Sequence, residues 1–483
     1  MSELLALLVA LPLVGSVLAF LAGLLEEKSG WPVAVVTAAV QVVAVGAVAS
    51  RAFDEPISYV VGGFTAPYGI ELVADGLSAT MALLVAVVSL AVLAYSRHAG
   101  PRSNAYHAVY LLLLAGLTGM SITGDVFNMY VFLEITGLAA YALVASGEGG
   151  RSALAALKYL LVGTIGASLF LLGIGYAYIA TGTLNMADLS QQLADVGHTE
   201  PLVQAAFGLL VVGLFVKVAV FPLHAWQPDA YADAPDSVSA LISALVSTVA
   251  AYALLRIVFT VFTVDFLEAN PAARSLLVAG AVVSIVFGSL LAVSQTEIKR
   301  MLAYSSVSQF GLVVGAAAVA NETALIGATV HLVGHAIMKG GLFLTAGLIA
   351  GATGARTVDG YEGLIHRLPT GAGAFAVLAL AMVGVPPAVG FVGKWYVALG
   401  AVEAGAWPLA VVILLSTLLT LAYFARILER MFFRDADSER VDGDAFSFGM
   451  TATAVAAALV AVALGAVAFE YGQLLEPTVQ ALL

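Results

Sequence analysis

Three of the six lysines in this 483-residue chain, Lys217, Lys339 and Lys394, lie inside long apolar runs. A charge at the centre of a membrane helix costs roughly 2.5–3.5 kcal/mol on insertion scales, so such a residue faces the protein interior and usually has a task. One acid within the apolar runs answers them: Glu134, in DVFNMYVFLEITGLAAY. A carboxylate and an ammonium buried side by side stabilise each other's charge. A proton or cation moving near one partner then acts on the other. A static ion pair clasping two helices is the simpler use of the same two residues.

The surroundings of each lysine differ. In GLFVKVAVFPLHAWQPD, Gly213 to Asp229, Lys217 is followed by Pro222 and then by His224, Gln227 and Asp229. A proline inside a spanning helix frees backbone carbonyls, which is tolerated where protein or a water-filled cavity satisfies them. A titratable lysine beside such a break suits ion translocation; a snorkelling lysine on a helix that simply ends is the alternative. Lys339 closes the run HLVGHAIMKGG with His331 and His335. The spacing of four puts all three on one helix face, each about 6 Å along the axis from the last. Histidines titrate near neutrality, so this face can pass protons through water. Two histidines four apart are also half of a metal site, but no carboxylate or third histidine stands near them, and neither metal nor cofactor is expected. KRMLAYSSVSQFG adds a polar stripe of Tyr304, Ser305, Ser308 and Gln309, which can hold water or join helices. Lys158 stands near the start of an apolar run, and Asp229, Asp233 and Asp236 are placed at a water-facing mouth.

The elements that position these residues are membrane helices. Hydrophobic residues make up 61% of the chain, charged residues 10%, and the mean hydropathy is +1.02. Soluble domains carry about 25% charged residues, so the chain is an all-α polytopic membrane protein. Apolar windows fall near 3–25, 31–50, 74–96, 106–122, 127–146, 153–181, 201–228, 236–263, 273–294, 300–320, 322–350, 371–400, 405–433 and 447–472, about the length a bilayer requires. That is fourteen spans. Leu4 to Leu25 lacks a basic leader and reads as a true span. With no cysteine, disulfides and iron–sulfur clusters are excluded, and no glycine-rich phosphate loop follows a strand. The net charge of −12, carried mostly by loops, argues against nucleic acid as a partner.

Loops after odd-numbered spans hold Lys28, Arg97, Arg102, Arg151, Lys299, Arg300, Arg356, Arg367, Arg430, Arg434 and Arg440; loops after even-numbered spans hold Arg51 and Arg274. Eleven against two places the odd loops in the cytoplasm and both termini outside a cell membrane. The longest polar connections are Asp188–Glu200, Arg356–Leu368 and Asp435–Asp444, and Asp54–Glu71, with Gly62, Gly63 and Pro67, reads as an ordered loop or short hairpin. Span 12 pairs a break with a lysine (Pro386, Pro387, Lys394), as span 7 does. Interrupted helices at matching places in two halves point to an inverted repeat. The expected division is 1–105 for helices 1–3, 106–263 for the first five-helix repeat, 264–434 for the second, and 435–483 for helix 14.

Together, GDVFNMYVFLEITGLAAYALVA, FPLHAWQPDAYADAP with SVSALISA after it, KRMLAYSSVSQFG, HAIMKGGLFLTAG and GFVGKWY resemble the antiporter-like subunits shared by Mrp sodium/proton antiporters and respiratory complex I. Within that family the chain looks most like the D-type subunit of the Mrp antiporters. The resemblance implies fourteen helices, two inverted five-helix repeats and broken helices 7 and 12. It also implies a Glu134–Lys217 pair, a central axis through His331 and His335, and an exit-side lysine at Lys394. It makes the chain a proton- or cation-translocating subunit of a multisubunit antiporter. Its partners would be other membrane subunits, lipid, sodium ions and protons. The family's helix 8 lysine is replaced here by Thr248, beside Ser243 and Ser247, which leaves the charged axis with a gap. Three other readings stay open: a subunit of a complex I-type or membrane hydrogenase complex, a structural scaffold, and a single-chain transporter. An ion-transporting subunit rather than an enzyme is the expectation.

Overall fold

The computed structural model describes residues 2–435 and 447–483; Arg440 and most of the connection at 435–444 lie outside them. The chain opens with α1 (Ser2–Ala22) and α2 (Gly30–Ala52), then a hairpin of β1 (Ile57–Val60) and β2 (Glu71–Ala74). There follow α3 (Gly76–Ser96), α4 (Asn104–Ile122), α5 (Val126–Ala145) and α6 (Gly150–Thr181). A short amphipathic α7 (Met186–Val196) occupies the connection before α8 (Pro201–Val218) and α9 (Gln227–Asp233). Then come α10 (Asp236–Ala269), α11 (Pro271–Ser294), α12 (Ile298–Val319) and α13 (Glu322–Thr353). The chain ends with α14 (Pro369–Val383), α15 (Val389–Glu403), α16 (Trp407–Phe433) and α17 (Phe448–Gln480).

Thirteen helices among the described residues are long and apolar enough to cross a membrane. The window at 371–400 is not one continuous helix: α14 ends at Val383 and α15 starts at Val389. The window at 201–228 likewise holds α8 to Val218 and a non-helical stretch before α9. α10 carries two wide π-helical turns, Ile242–Val246 and Ile257–Phe262. Short polar side chains start several helices by accepting the orphan amides of the first turn: Asp75 for α3, Asp125 for α5, Asn185 for α7 and Asn321 for α13. Exposed Leu18, Val43, Leu161, Ile165, Leu414 and Leu418 give the outer helices an apolar skin that suits lipid or neighbouring subunits.

The connections gather at two opposite ends of the bundle. At one, β2 pairs with the turn before α5 (Gly124 N to Glu71 O, 2.8 Å), and that turn pairs with the segment before α7 (Met186 N to Gly124 O, 2.8 Å). All three belong to connections after even-numbered spans. At the other end, Ile298 N donates to Arg356 O (3.0 Å), and Arg430 bonds Asp359 and Glu362. Those connections follow odd-numbered spans. The alternation expected from the basic residues is therefore the grouping the fold adopts. α8, α9, α10, α12 and α13 pack at the core and bury Lys217, Gln227, Thr248, Gln309, His331, His335 and Lys339.

Candidate functional site

α8 places Lys217 in its last turn. Ala219 then takes a left-handed conformation (φ 65°) that turns the chain out of the helix. The carbonyl of Val216 accepts a hydrogen bond from the Trp226 indole at 2.9 Å, and Phe221 N donates to Ser284 Oγ at 2.9 Å. Side chains thus satisfy the backbone groups released where the helix stops.

Lys217 is 7% exposed, and its Nζ lies 3.4 Å from Glu134 Oε1 and 3.2 Å from the Tyr141 hydroxyl. The pair is made, but it is not buried at both ends: the Glu134 side chain is 26% exposed. Tyr141 is the residue that sequence reasoning missed. It is seven residues after Glu134, two turns along the same face, and that spacing was the available signal. Its ring packs edge-on against Tyr159 (4.5 Å), which stacks on Trp226 (3.9 Å). One aromatic column therefore ties Lys217 to the end of its own helix.

Beyond the break, Gln227 Nε2 donates to the Tyr231 hydroxyl (3.2 Å) and to Ser247 Oγ (3.3 Å). Thr248, next along α10, is 0% exposed, and its hydroxyl has no hydrogen-bond partner among the described residues. The same holds for Gln227 Oε1, His224 Nδ1, both amide atoms of Gln309 and all four ring nitrogens of His331 and His335. A buried polar atom left unpaired costs about 1–3 kcal/mol. Polar sites of this kind are where proteins hold internal water.

On the far side, Lys339 donates to Leu302 O (3.0 Å) and to Ser305 Oγ. Lys394 donates to Met382 O (2.8 Å) and Val383 O (3.0 Å), the last carbonyls of α14. A helix C-terminus is negative and favours a cation, so the break itself supplies a seat for Lys394. Neither lysine has a carboxylate within salt-bridge distance among the described residues. His331 and His335 stand 6.3 Å apart between ring centroids, with His335 against Phe310 (4.6 Å). Gly393 lets α15 approach closely here: a Cβ on it would meet His331 Cα at 2.8 Å. Gly465 does the same for α17, where a Cβ would fall 1.8 Å from Pro387 O in the second break.

The polar stripe of α12 divides. Ser305 bonds Lys339, and Gln309, four residues on, has no partner among the described residues, whereas Ser308 bonds Ser289 across to α11 at 2.7 Å. The half-buried Tyr304 lies beside His224 (5.9 Å between centroids). The acids after the break are all paired: Asp229 with Lys158 (2.6 Å) and Arg300 (2.8 Å), Asp233 with Arg151 (2.8 Å), and Asp236 with Lys299 (2.9 Å) and Arg356 (3.3 Å). Asp233 and Asp236 border a cavity of about 480 Å³ at the basic end of the bundle. Among the described residues no three His, Cys, Asp or Glu side chains are grouped to hold a metal.

The model of the family described as "NADH:quinone oxidoreductase/Mrp antiporter, TM" matches residues 123–420. The N-type subunit of the NADH-quinone oxidoreductase of Desulforudis audaxviator is 46% identical over 413 residues, 83% of this chain and 81% of that protein. The D-type subunit of the Na(+)/H(+) antiporter of Bacillus subtilis is 34% identical over 371 residues, 76% of this chain and 74% of that one. Among solved structures, a chain of the membrane-bound sulfane sulfur reductase, an archaeal respiratory membrane complex, superposes with a TM-score of 0.93 at 31% identity, covering 100% of this chain and 98% of that one. A chain of the Mrp complex of a Dietzia species superposes with a TM-score of 0.90 at 26% identity and the same coverage. These relatives are subunits of multisubunit membrane assemblies. The chain belongs to the NADH:quinone oxidoreductase/Mrp antiporter family of membrane-spanning subunits.

Proposed function

We propose that this chain moves protons across a cell membrane as a subunit of a multisubunit Mrp-type sodium/proton antiporter. The path runs from Lys217, partnered by Glu134, past Thr248 to Lys339, His335 and His331, and ends at Lys394. The observation that carries this reading is the set of buried polar atoms that find no partner among the described residues, on the same packed helices, α9, α10, α12 and α13, as Lys339 and next to α8 with Lys217. A dry core does not maintain so many unpaired groups; water among them joins the lysines into one line. Two interrupted helices, each with a lysine at the break, support the inverted repeats 106–263 and 264–434. The basic end of the bundle faces the cytoplasm in this reading, with both termini outside.

A second reading has one observation in its favour. The 46% identity is to a protein named as a NADH-quinone oxidoreductase subunit, so a complex I-type assembly is the rival. The proteins that purify with the tagged chain separate the two: antiporter subunits alone support the first, and redox subunits support the second.

Thr248 supplies the test of the path. Its hydroxyl can donate and accept, so it can carry a water chain, but it cannot store a proton as a lysine can. Thr248→Val keeps the shape and removes the hydroxyl. Ion exchange in vesicles carrying the assembled complex is expected to fall by about fivefold to tenfold, the effect of losing one hydrogen bond of roughly 1–1.4 kcal/mol. Exchange equal to the parent's would remove this position from the path and favour a scaffold.

A further inference from the structure

A further charge pair joins α10 to the start of α3. Arg256, near the hairpin end of α10, bonds the carboxylate of Asp75, which also caps α3 through Leu77 N (3.1 Å) and Ser78 N (2.9 Å). Arg256 Nε donates to the Tyr252 hydroxyl at 2.9 Å, and that hydroxyl donates to Ser121 O at 2.7 Å. The guanidinium and the carboxylate, with Glu71, Asn185 and Thr260, line a cavity of about 400 Å³ that opens beside the β-hairpin. The Thr260 hydroxyl is buried there without a partner among the described residues.

Thr248, Tyr252 and Arg256 are four residues apart. They therefore share one face of α10, each about 6 Å along the axis from the next. This face starts at a fully buried, unpartnered hydroxyl and ends at a water-accessible cavity.

We propose that this face is a second water passage, leading protons between the membrane middle at Thr248 and the hairpin-side cavity, with the Arg256–Asp75 pair as its gate. The Tyr252 hydroxyl, which donates to Ser121 O and accepts from Arg256 Nε, is the polar group midway along the face, and one acceptor site on it stays open to water. The guanidinium stays protonated under all ordinary conditions. Held by Asp75, it fills the mouth of the passage. The passage is built from α10 and the start of α3, not from α14 and α15, where Lys394 sits. Its purpose rests on the translocation reading above, but its existence does not.

The test is chemical access. The chain has no cysteine, so Thr248→Cys gives a single thiol. A small charged methanethiosulfonate reagent reacts with a wetted thiolate and not with a dry buried thiol. It is added to the hairpin side of oriented vesicles containing the full chain with its partner subunits. Slow labelling is expected with the pair intact. Arg256→Ala is expected to accelerate it by about tenfold or more, because loss of the side chain opens the mouth to water and thiolate. Should Arg256→Ala not accumulate in the membrane, Asp75→Asn breaks the same pair from the other partner and is expected to act in the same direction. Unchanged labelling in an assembled gate variant, or acceleration only from the opposite side, overturns the passage. Neither result depends on whether the complex transports ions.

Discussion

Glu134→Ala is expected to abolish most ion exchange while the complex still assembles. The carboxylate is the only acidic group within 4 Å of Lys217 among the described residues, at 3.4 Å. Removing one member of a buried ion pair leaves the other uncompensated, typically at a cost of about 3–5 kcal/mol. The Glu134 side chain is 26% exposed within the chain, so part of that cost is screened. If about 1.4 kcal/mol of it falls on the transport barrier, exchange drops roughly tenfold. Tyr141 keeps its hydrogen bond to Lys217, which is why assembly is expected to survive. Exchange in vesicles and the amount of intact complex are measured together. Normal exchange in assembled complex removes the pair from the mechanism, and loss of the complex itself makes the pair a helix clasp.

Lys394 separates charge from proton transfer. Its two hydrogen bonds hold the last carbonyls of α14, so Lys394→Met loses both the charge and the cap. Lys394→Arg keeps a cation and its donors there, but a guanidinium does not give up its proton. Lys394→Met is expected to stop exchange and to lower the thermal stability of the complex, each freed carbonyl contributing about 1–3 kcal/mol. Lys394→Arg is expected to recover stability while leaving exchange at least about tenfold below the parent, because the proton stays bound. An arginine variant that transports like the parent would reduce Lys394 to a structural cap.

Much of this was legible in the chain because membranes leave few solutions. Apolar windows located the thirteen long apolar helices among the described residues, since length and hydropathy are both set by the bilayer; the window at 371–400 instead holds the shorter α14 and α15. Pro222 and the Pro386–Pro387 pair marked where α8 and α14 stop, because proline removes a donor from the ladder. Gly62, Gly63 and Pro67 marked the hairpin. The isolated lysines and histidines stood out through their cost in apolar surroundings. What stayed hidden depended on contacts between distant segments. Tyr141, Tyr159 and Trp226 come from three separate segments, and their column has no local pattern. Asp75 and Arg256 are 181 residues apart, and neither was singled out in the sequence, because only the fold brings them together. The partial exposure of Glu134 depends on how α5 packs against distant segments, and no periodicity within the helix encodes that. α7 was concealed in a polar connection, since a short amphipathic helix and a loop share the same composition.

In the proposed path, water completes a single line from Lys217 to Lys394. The most direct measurement is a map of the intact complex in lipid at a resolution that shows ordered water. Solvent density is expected within hydrogen-bonding distance of Thr248 Oγ1, Gln309, His335 and His331, the groups that find no protein partner among the described residues. A dry axis, with those atoms against apolar side chains and no density between Lys217 and Lys339, would contradict it.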